Sequence, residues 1–505
     1  MPNIYQTVAY HALRRPDAPA VIEGATRYTF AGFAQRVRRY ADCLAALGVR
    51  RGDRVCAVLD NSADYLALFH ATAIGGFILV PANVRLSPRE LAWMVSHCRP
   101  NIVLHDTKNA PLVEAARPEA PQAVEWLHIE ALDVDAASDR CADPLVERYG
   151  AVEDDDVALI IYTSGTTALP KGAMLTHGNL VWNAINFQLE LGINEKSRAT
   201  LATPLFHIGG FGVLNGPVLY AGGCLSILPR FDPDSIIAHL HDNPPTHLFL
   251  LSAMWVSLTD HPDFAALRFP GVAYVQTASS PLGEHRQALI RQAFPEAEFG
   301  WGFGMTESCV TTFKNRTTAE ILDHPGSVGY GWRHIAYRLV DEERNVLTEI
   351  GQEGELEVRG PTIFAGYWDD PEATAATLTP DGWLRTGDLF RFDADGYGYF
   401  VGRGKDMVKT GGENVAALEV EICLSQHPGV SEAAVFGVPH DYWGEELRAA
   451  VVAAPGADVD AEELRAFCRE RLTGFKVPKK ITVVPELPKS SSGKIQKFKL
   501  KEAAR

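Results

Sequence analysis

Two short segments of this 505-residue chain carry cations and hydroxyls at spacings suited to handling anionic oxygen. Tyr162-Thr163-Ser164-Gly165-Thr166-Thr167-Ala168-Leu169-Pro170-Lys171-Gly172 gathers hydroxyls, flexible backbone and a lysine in one stretch. Some 320 residues later, Pro488-Lys489-Ser490-Ser491-Ser492-Gly493-Lys494-Ile495 offers a lysine on a short Gly/Ser loop. Free backbone N–H groups and a helix N-terminus stabilise phosphate where a strand runs into such a loop. The first segment is not a Walker A motif, because Pro170 precedes its lysine and the GxxxxGK[ST] spacing is absent. An ordinary polar loop is the competing reading, but five Ser/Thr/Gly in a row before Pro-Lys-Gly are too biased for it. The pair, in this order, implies ATP opened by a carboxylate rather than by water.

The elements that must position these groups follow from the apolar pattern. Val55–Leu59, Phe77–Val80, Ile102–Leu104, Val157–Ile161, His247–Leu251 and Val272–Thr277 read as buried strands, most of them followed by helical periodicity, as in Leu180–Leu191. Such alternation predicts parallel sheets covered on both faces. Between about 325 and 402, Gly, Asp and Pro punctuate short strands such as Glu355–Arg359 and Tyr399–Val401, which predicts a small antiparallel β unit. The Gly/charge-rich stretch 402–406 then precedes a new αβ texture. The predicted organisation is therefore α/β: a large N-terminal domain, 1–402, of two doubly wound subdomains plus a small β-barrel, and a small mobile α+β C-terminal domain, 403–505.

The length calls for more than one domain. A net charge of −16 argues against nucleic-acid or nonspecific membrane binding. The exception is 476–505, with nine Lys/Arg against two Glu; a solvated tail and a segment that meets an anionic substrate explain it equally well. Eight scattered cysteines without a CxxC pair argue against a disulfide framework or zinc site and favour a reducing cytoplasm. The N-terminal residues contain no apolar signal-peptide core. The apolar stretch Tyr65 to Pro81 is interrupted by His70, Gly75 and Gly76 and reads as helix, turn and strand, not as an integral membrane span.

With these segments in hand the chain is similar to the adenylate-forming superfamily, which comprises acyl-CoA synthetases, carrier-loading adenylation domains and beetle luciferases. Thr163 to Gly172 resembles that family's phosphate loop, Pro204-Leu205-Phe206-His207 its histidine motif, and Gly302-Phe303-Gly304-Met305-Thr306-Glu307 its YGxTE motif. Arg385-Thr386-Gly387-Asp388 resembles the ribose aspartate motif, Gly402-Arg403 through Lys409-Thr410-Gly411-Gly412-Glu413-Asn414 the hinge and second-step loop, and Pro488 to Lys494 the catalytic-lysine loop. Six motifs in the expected order span essentially the whole chain.

The resemblance implies a reaction in which a carboxylate attacks the α-phosphate of ATP, giving an acyl-adenylate with AMP as its leaving group. Two anions meet, so cations must neutralise them. Lys494 would bridge carboxylate and α-phosphate, and Thr306, Glu307 and His207 complete the catalytic set. Mg²⁺, held through Glu307, would neutralise the departing pyrophosphate. Thr163, Ser164, Gly165, Thr166, Thr167 and Lys171 would cradle the β- and γ-phosphates, Asp388 would accept from the ribose hydroxyls, Arg403 would sit near ribose and phosphate, and Phe303 would stack on adenine. A thiol then attacks the adenylate after the C-terminal domain has pivoted at Lys405, where Gly402 and Gly404 keep the backbone permissive. The second-step loop, with Lys409, Gly411, Gly412 and Glu413, would line the thiol tunnel, and its wording favours free CoA as acceptor. The loop around Lys494 also resembles a regulatory acetylation motif, so a lysine acetyltransferase is an expected partner.

Three departures from the pattern stand out: Ala168 for the usual glycine, Phe303 for tyrosine, and Ala278-Ser279-Ser280-Pro281 for a Gly/Ala-rich stretch. None removes a catalytic group. The acyl pocket is expected among Phe206, Phe211, Ala278, Ser279, Ser280, Trp301 and Gly302. No Arg or Lys falls among these, which disfavours diacids. The apolar, aromatic set suits a medium- or long-chain fatty acid first and an aryl or cinnamate-like acid second. Loading of a separate carrier protein, a luciferase-like oxidation and a non-catalytic binding protein are the rival classes.

Overall fold

A computed structural model describes residues 3–132, 134, 152–163, 170–278, 282–410, 413–440, 442–489 and 495–504. Among the described residues the chain builds four sheets. One has seven strands, with a parallel core of Val157–Thr163, Ile78–Pro81, Arg54–Val58, Ile102–His105 and Glu125–His128. A second has nine strands, and Glu298–Phe303, Tyr274–Ala278, His247–Phe249, Arg198–Leu201, Cys224–Ile227 and Pro19–Glu23 run parallel through it. The third is fully antiparallel: Val346–Leu347, Ala336–Val340, Gly354–Arg359, Leu384–Phe392 and Gly398–Arg403. The fourth belongs to the C-terminal αβ unit and centres on the long pair Val430–His440 and Gly444–Ala453.

The strands expected from apolar runs all form, within two residues at their ends. They are apolar on both faces because helices cover both faces. The stretch after Ser62 folds as read: helix Ala63–Gly75, a left-handed cap at Gly76 (φ 68°), then strand Ile78–Pro81. Among the described residues, no helix is long and apolar enough to cross a membrane.

One expectation fails locally. The phosphate segment was expected to open a helix directly. Instead Lys171–Thr176 forms a strand antiparallel to Val157–Thr163, and the helix His177–Leu191 starts only after it. Thr176 caps that helix through a reciprocal box with Asn179. The segment is thus a hairpin connection, and the helix N-terminus lies a full strand away from it.

Candidate active site

The hairpin fixes both ends of the phosphate segment. Thr163 and Lys171 are register partners, and the Thr163 hydroxyl donates to the Lys171 carbonyl at 3.4 Å. Ser164, Gly165, Thr166 and Thr167 lie outside the described residues. The Lys171 ammonium sits 5.1 Å from the ring centre of Tyr367. Tyr367 lies on the short strand Gly366–Tyr367, which pairs with Lys171–Thr176. Its hydroxyl donates to Oε1 of Glu307 at 2.7 Å. Burial first, then the neighbouring Glu307 carboxylate, pushes this phenol well above its ordinary range. Lys171, Tyr367 and Glu307 therefore form one contiguous line from three distant stretches. Tyr367 was not singled out in the sequence; a tyrosine in Gly-Tyr-Trp reads as ordinary barrel packing.

Glu307 occupies the turn Thr306–Ser308 and is 7% exposed. Its carbonyl accepts from the Phe364 N–H at 2.9 Å. The turn is tight: Cys309 (φ 54°) and Val310 (φ 95°) both adopt left-handed backbone, rare for side-chain-bearing residues. A Cβ on Gly304 would collide with the Val310 carbonyl, which explains glycine at that position. Conformational strain of this kind accompanies functional turns.

On the five-stranded antiparallel sheet, Asp388 of Leu384–Phe392 faces Arg403 of Gly398–Arg403. The carboxylate is 3% exposed, and the Arg403 guanidinium lies 3.3 Å from its Oδ1. Thr386, whose hydroxyl donates to the Leu356 carbonyl at 2.7 Å, accepts from the Asp388 N–H. This is a held carboxylate rather than the turn residue that Arg-Thr-Gly-Asp alone would suggest. Phe303, half-buried, meets Phe390 edge-on at 4.7 Å and Phe400 at 5.5 Å, so its ring joins the nine-stranded sheet to the five-stranded antiparallel sheet.

The expected acyl residues do not share one surface. His207 caps the short helix Ile208–Gly212, its Nδ1 accepting from the Gly209 N–H at 3.0 Å, and Phe206 precedes it half-buried. Phe211 is 2% exposed. It packs against Phe69 (4.6 Å) and Tyr65 (6.2 Å) in the main core, beside a cavity of about 30 Å³ that is too small for an acyl group. Trp301 pairs with Thr277, whereas Gly302 pairs with Ala278. Successive residues point to opposite faces of a strand, so Trp301 projects away from the face that Ala278 and Gly302 present. Ser279 and Ser280 lie outside the described residues.

That face carries residues the sequence reading missed. Lys314, on Phe313–Lys314, pairs with Gly302, and its ammonium donates to Gln276 Oε1 at 2.5 Å. Both side chains are essentially fully buried. Burial holds the Lys314 amine well below the ordinary lysine range, with the Glu190 carboxylate opposing. The local sequence Thr-Thr-Phe-Lys-Asn-Arg looks like a polar surface and gives no signal of this.

In the C-terminal unit, Lys409 and Glu413 lie on the hairpin Met407–Thr410/Glu413–Ala416, both exposed, with the Lys409 N–H donating to Glu445 at 2.8 Å. Gly411, Gly412 and Lys494 lie outside the described residues, as does the side chain of Lys405. The flanks of the Lys494 segment are fixed: Lys489 bridges to Ile495 across backbone, its ammonium meets Glu432 at 2.7 Å, and Lys497 meets Glu421 at 2.8 Å. Arg286, anchored on Asp260 at 2.7 Å, reaches Ser431 of the C-terminal unit at 3.3 Å.

Comparison with known proteins agrees with this arrangement. Residues 8–368 match the AMP-binding enzyme family and residues 419–494 the AMP-binding enzyme C-terminal domain. A feruloyl-CoA synthase of Amycolatopsis sp. is 36% identical over 482 residues, covering 95% of each chain. A long-chain-fatty-acid–CoA ligase of Mycobacterium tuberculosis is 32% identical over 515 residues, covering 99% of this chain and 98% of that one. Among solved structures, ATP-bound MatB from Rhodopseudomonas palustris superposes with a TM-score of 0.86 at 30% identity, covering 100% and 99%. The anthranilate CoA ligase AuaEII with anthranoyl-AMP superposes at 0.90 and 27% identity, covering 100% and 97%. The chain belongs to the AMP-binding enzyme family, as an AMP-forming acid–thiol ligase of the acyl-CoA synthetase kind.

Proposed function

We propose that the protein ligates a compact aryl carboxylic acid, of arylpropenoic type, to CoA through an acyl-adenylate. The observation that carries this reading is the polar pair Gln276–Lys314 on the sheet face shared with Ala278 and Gly302. Gln276 lies two residues along the strand from Ala278, about 7 Å deeper, and with the Lys314 amine it presents polar atoms where a long alkyl chain would need apolar wall. A buried polar group without a partner costs free energy, so such a floor disfavours methylenes. The 36% identity to a feruloyl-CoA synthase supports the same class. A fatty acid is the second reading, favoured by the apolar aromatic surroundings and by the long-chain relative.

In the first step a carboxylate oxygen attacks the α-phosphorus, the bond to the β-phosphate bridging oxygen breaks, and pyrophosphate leaves. Lys171 stands at the end of the phosphate hairpin to meet the outer phosphates, and Asp388 is placed to accept from ribose hydroxyls. Lys494 bridges the reacting anions. Glu307 suits Mg²⁺: its Oε1 is oriented by Tyr367, and no described residue donates to Oε2, leaving a hard oxygen for a cation that binds through few carboxylates. The ion would supply charge neutralisation of pyrophosphate. In the second step the thiolate attacks the acyl carbon and AMP leaves. The chain beyond residue 402 turns about Lys405 between the steps, which breaks the Arg286–Ser431 contact. Acetylation of Lys494 removes the bridging charge and stops the first step.

Pyrophosphate release with Mg-ATP tests this across acetate, octanoate, palmitate, benzoate and cinnamates, with and without CoA. A CoA-dependent maximum on an arylpropenoate is the expected result. A maximum on octanoate or palmitate replaces it with the fatty-acid reading, and exchange without CoA turnover points to a carrier protein.

A further inference from the structure

Lys314 is an expensive residue in an unusual place. It is 1% exposed, and among the described residues no carboxylate lies within ion-pair distance of it. Gln276 Oε1 supplies its hydrogen bond, and the rings of Tyr274 (4.6 Å), Phe187 (5.1 Å) and Trp332 (5.9 Å) surround the amine. A fully buried cation needs several partners to offset desolvation. Nor is Gln276 satisfied: it is 0% exposed, and among the described residues its Nε2 has no hydrogen-bond partner. Two adjoining side chains thus hold spare polar capacity in an apolar interior, on the same face as Ala278 and Gly302.

The backbone is built to bring them together. Between Tyr274–Ala278 and Phe313–Lys314 runs Glu298–Phe303, whose residues on this face are Gly300 and Gly302. Lys314 is the register partner of Gly302, and its stem lies across that strand toward Gln276. A Cβ at Gly300 would collide with the Tyr274 hydroxyl, so this glycine lets the ring lie over the strand as a wall. The helix His177–Leu191 closes the opposite side with Phe187.

We propose that Lys314 and Gln276 together bind an oxygen substituent at the end of the acid remote from its carboxylate, a phenolic hydroxyl in the 4-position of an arylpropenoate. This rests on the aryl reading above and deepens it. The unpaired Gln276 amide N–H and a remaining N–H of Lys314 Nζ both donate to the phenol oxygen. The rings of Phe187, Tyr274 and Trp332 around the amine make the walls of that end apolar. A site that hydrogen-bonds a hydroxyl rejects the analogue lacking it, because its own polar groups are then left unpaired. Lys314 and Gln276 are specificity-determining residues; they stand away from the reacting carboxylate.

The test measures kcat/KM for 4-hydroxycinnamate, cinnamate and octanoate in the wild-type protein and in Lys314→Met and Gln276→Leu, with CoA and Mg-ATP saturating. The wild type should prefer 4-hydroxycinnamate over cinnamate by at least about tenfold. Lys314→Met should erase that preference by lowering the hydroxylated acid alone, with cinnamate turnover maintained or raised. Retained cinnamate turnover also shows that the variant is folded. Gln276→Leu should reduce the preference in the same sense. Equal wild-type kcat/KM for the two cinnamates overturns the proposal without any variant. So does a Lys314→Met protein that keeps the preference or loses both acids equally. Octanoate well above both cinnamates in the wild type instead overturns the aryl reading beneath it.

Discussion

The hydroxyl of Tyr367 donates to the carboxylate of Glu307 across 2.7 Å, while the Tyr367 ring lies 5.1 Å from the Lys171 ammonium. One tyrosine thus joins the phosphate hairpin to the turn that carries the expected metal ligand. The hydrogen bond holds Glu307 in one rotamer, and a hydrogen bond to a charged group contributes about 1.5–3 kcal/mol. Tyr367→Phe keeps the ring beside Lys171 and deletes only that bond. The expected outcome is a fall of roughly 10- to 100-fold in kcat/KM for Mg-ATP in pyrophosphate release. Thioester formation from supplied acyl-adenylate should stay within about twofold, since it does not need pyrophosphate to be neutralised. Equal losses in both half-reactions would show that Tyr367 supports the fold rather than the first step.

Asp388 is buried, and its ion-pair partner Arg403 is 44% exposed. A pair with one partner so exposed contributes little to stability. Asp388→Asn should therefore leave the melting temperature nearly unchanged while weakening nucleotide binding, because an amide accepts more weakly than a carboxylate. We expect ATP KM to rise at least about tenfold. Deoxy-ATP is the matching probe. If the carboxylate contacts the ribose hydroxyls, the variant should discriminate less between ATP and 2′-deoxy-ATP than the wild type does. Unchanged discrimination would remove Asp388 from the ribose site.

How far these groups could be found beforehand depended on whether their signal is local. Lys171, Glu307 and Asp388 sit in stretches whose residue order alone marks them, and the buried strands announced themselves by apolar runs such as 157–161. Register between strands is not local. Nothing near Trp301 says that it pairs with Thr277 and therefore faces away from Ala278. Phe211 sits in an apolar stretch that suits a pocket or a core equally, and packing against Phe69 decides for the core. Lys314 lies between Phe313 and Asn315 in a polar-looking segment, and only its pairing with Gly302 and the surrounding rings of Phe187, Tyr274 and Trp332 show that it is buried. The strand Lys171–Thr176 was missed because six residues before a long helical pattern carry too few alternations to be read.

Lys494→Ala separates the two steps of the reaction. If this lysine bridges carboxylate and α-phosphate only in the first, the variant should lose roughly 3 kcal/mol or more of transition-state stabilisation there, about 10²-fold in rate. Thioester formation from purified acyl-adenylate and CoA should persist. Chemical acetylation of Lys494 should reproduce the same split, and enzymatic deacetylation should reverse it. Loss of both half-reactions to the same degree would contradict a mechanism with two arrangements of the C-terminal unit.

Three buried histidines should make the fold acid-sensitive. Burial lowers His70, His177 and His247 to about 4 each. In the unfolded chain each titrates near its ordinary value of about 6.5. The unfolded state therefore binds more protons between these values, and stability falls as pH drops. The contribution of each histidine is complete above about pH 6.5 and is lost progressively down to about 4, with a slope approaching about 1.4 kcal/mol per pH unit. His177 is the cleanest probe. It is 0% exposed, and both of its ring nitrogens are buried with no hydrogen-bond partner. Urea unfolding of the wild type at pH 7, 6 and 5 should show a declining midpoint, and His177→Leu should flatten that decline by one histidine's share. At pH 7 the variant should be no less stable apart from any cost of shape, because leucine leaves no ring nitrogens unpaired. A variant with the wild-type pH slope would show that His177 does not stay neutral in the folded protein, and that a carboxylate set governs the acid limb instead.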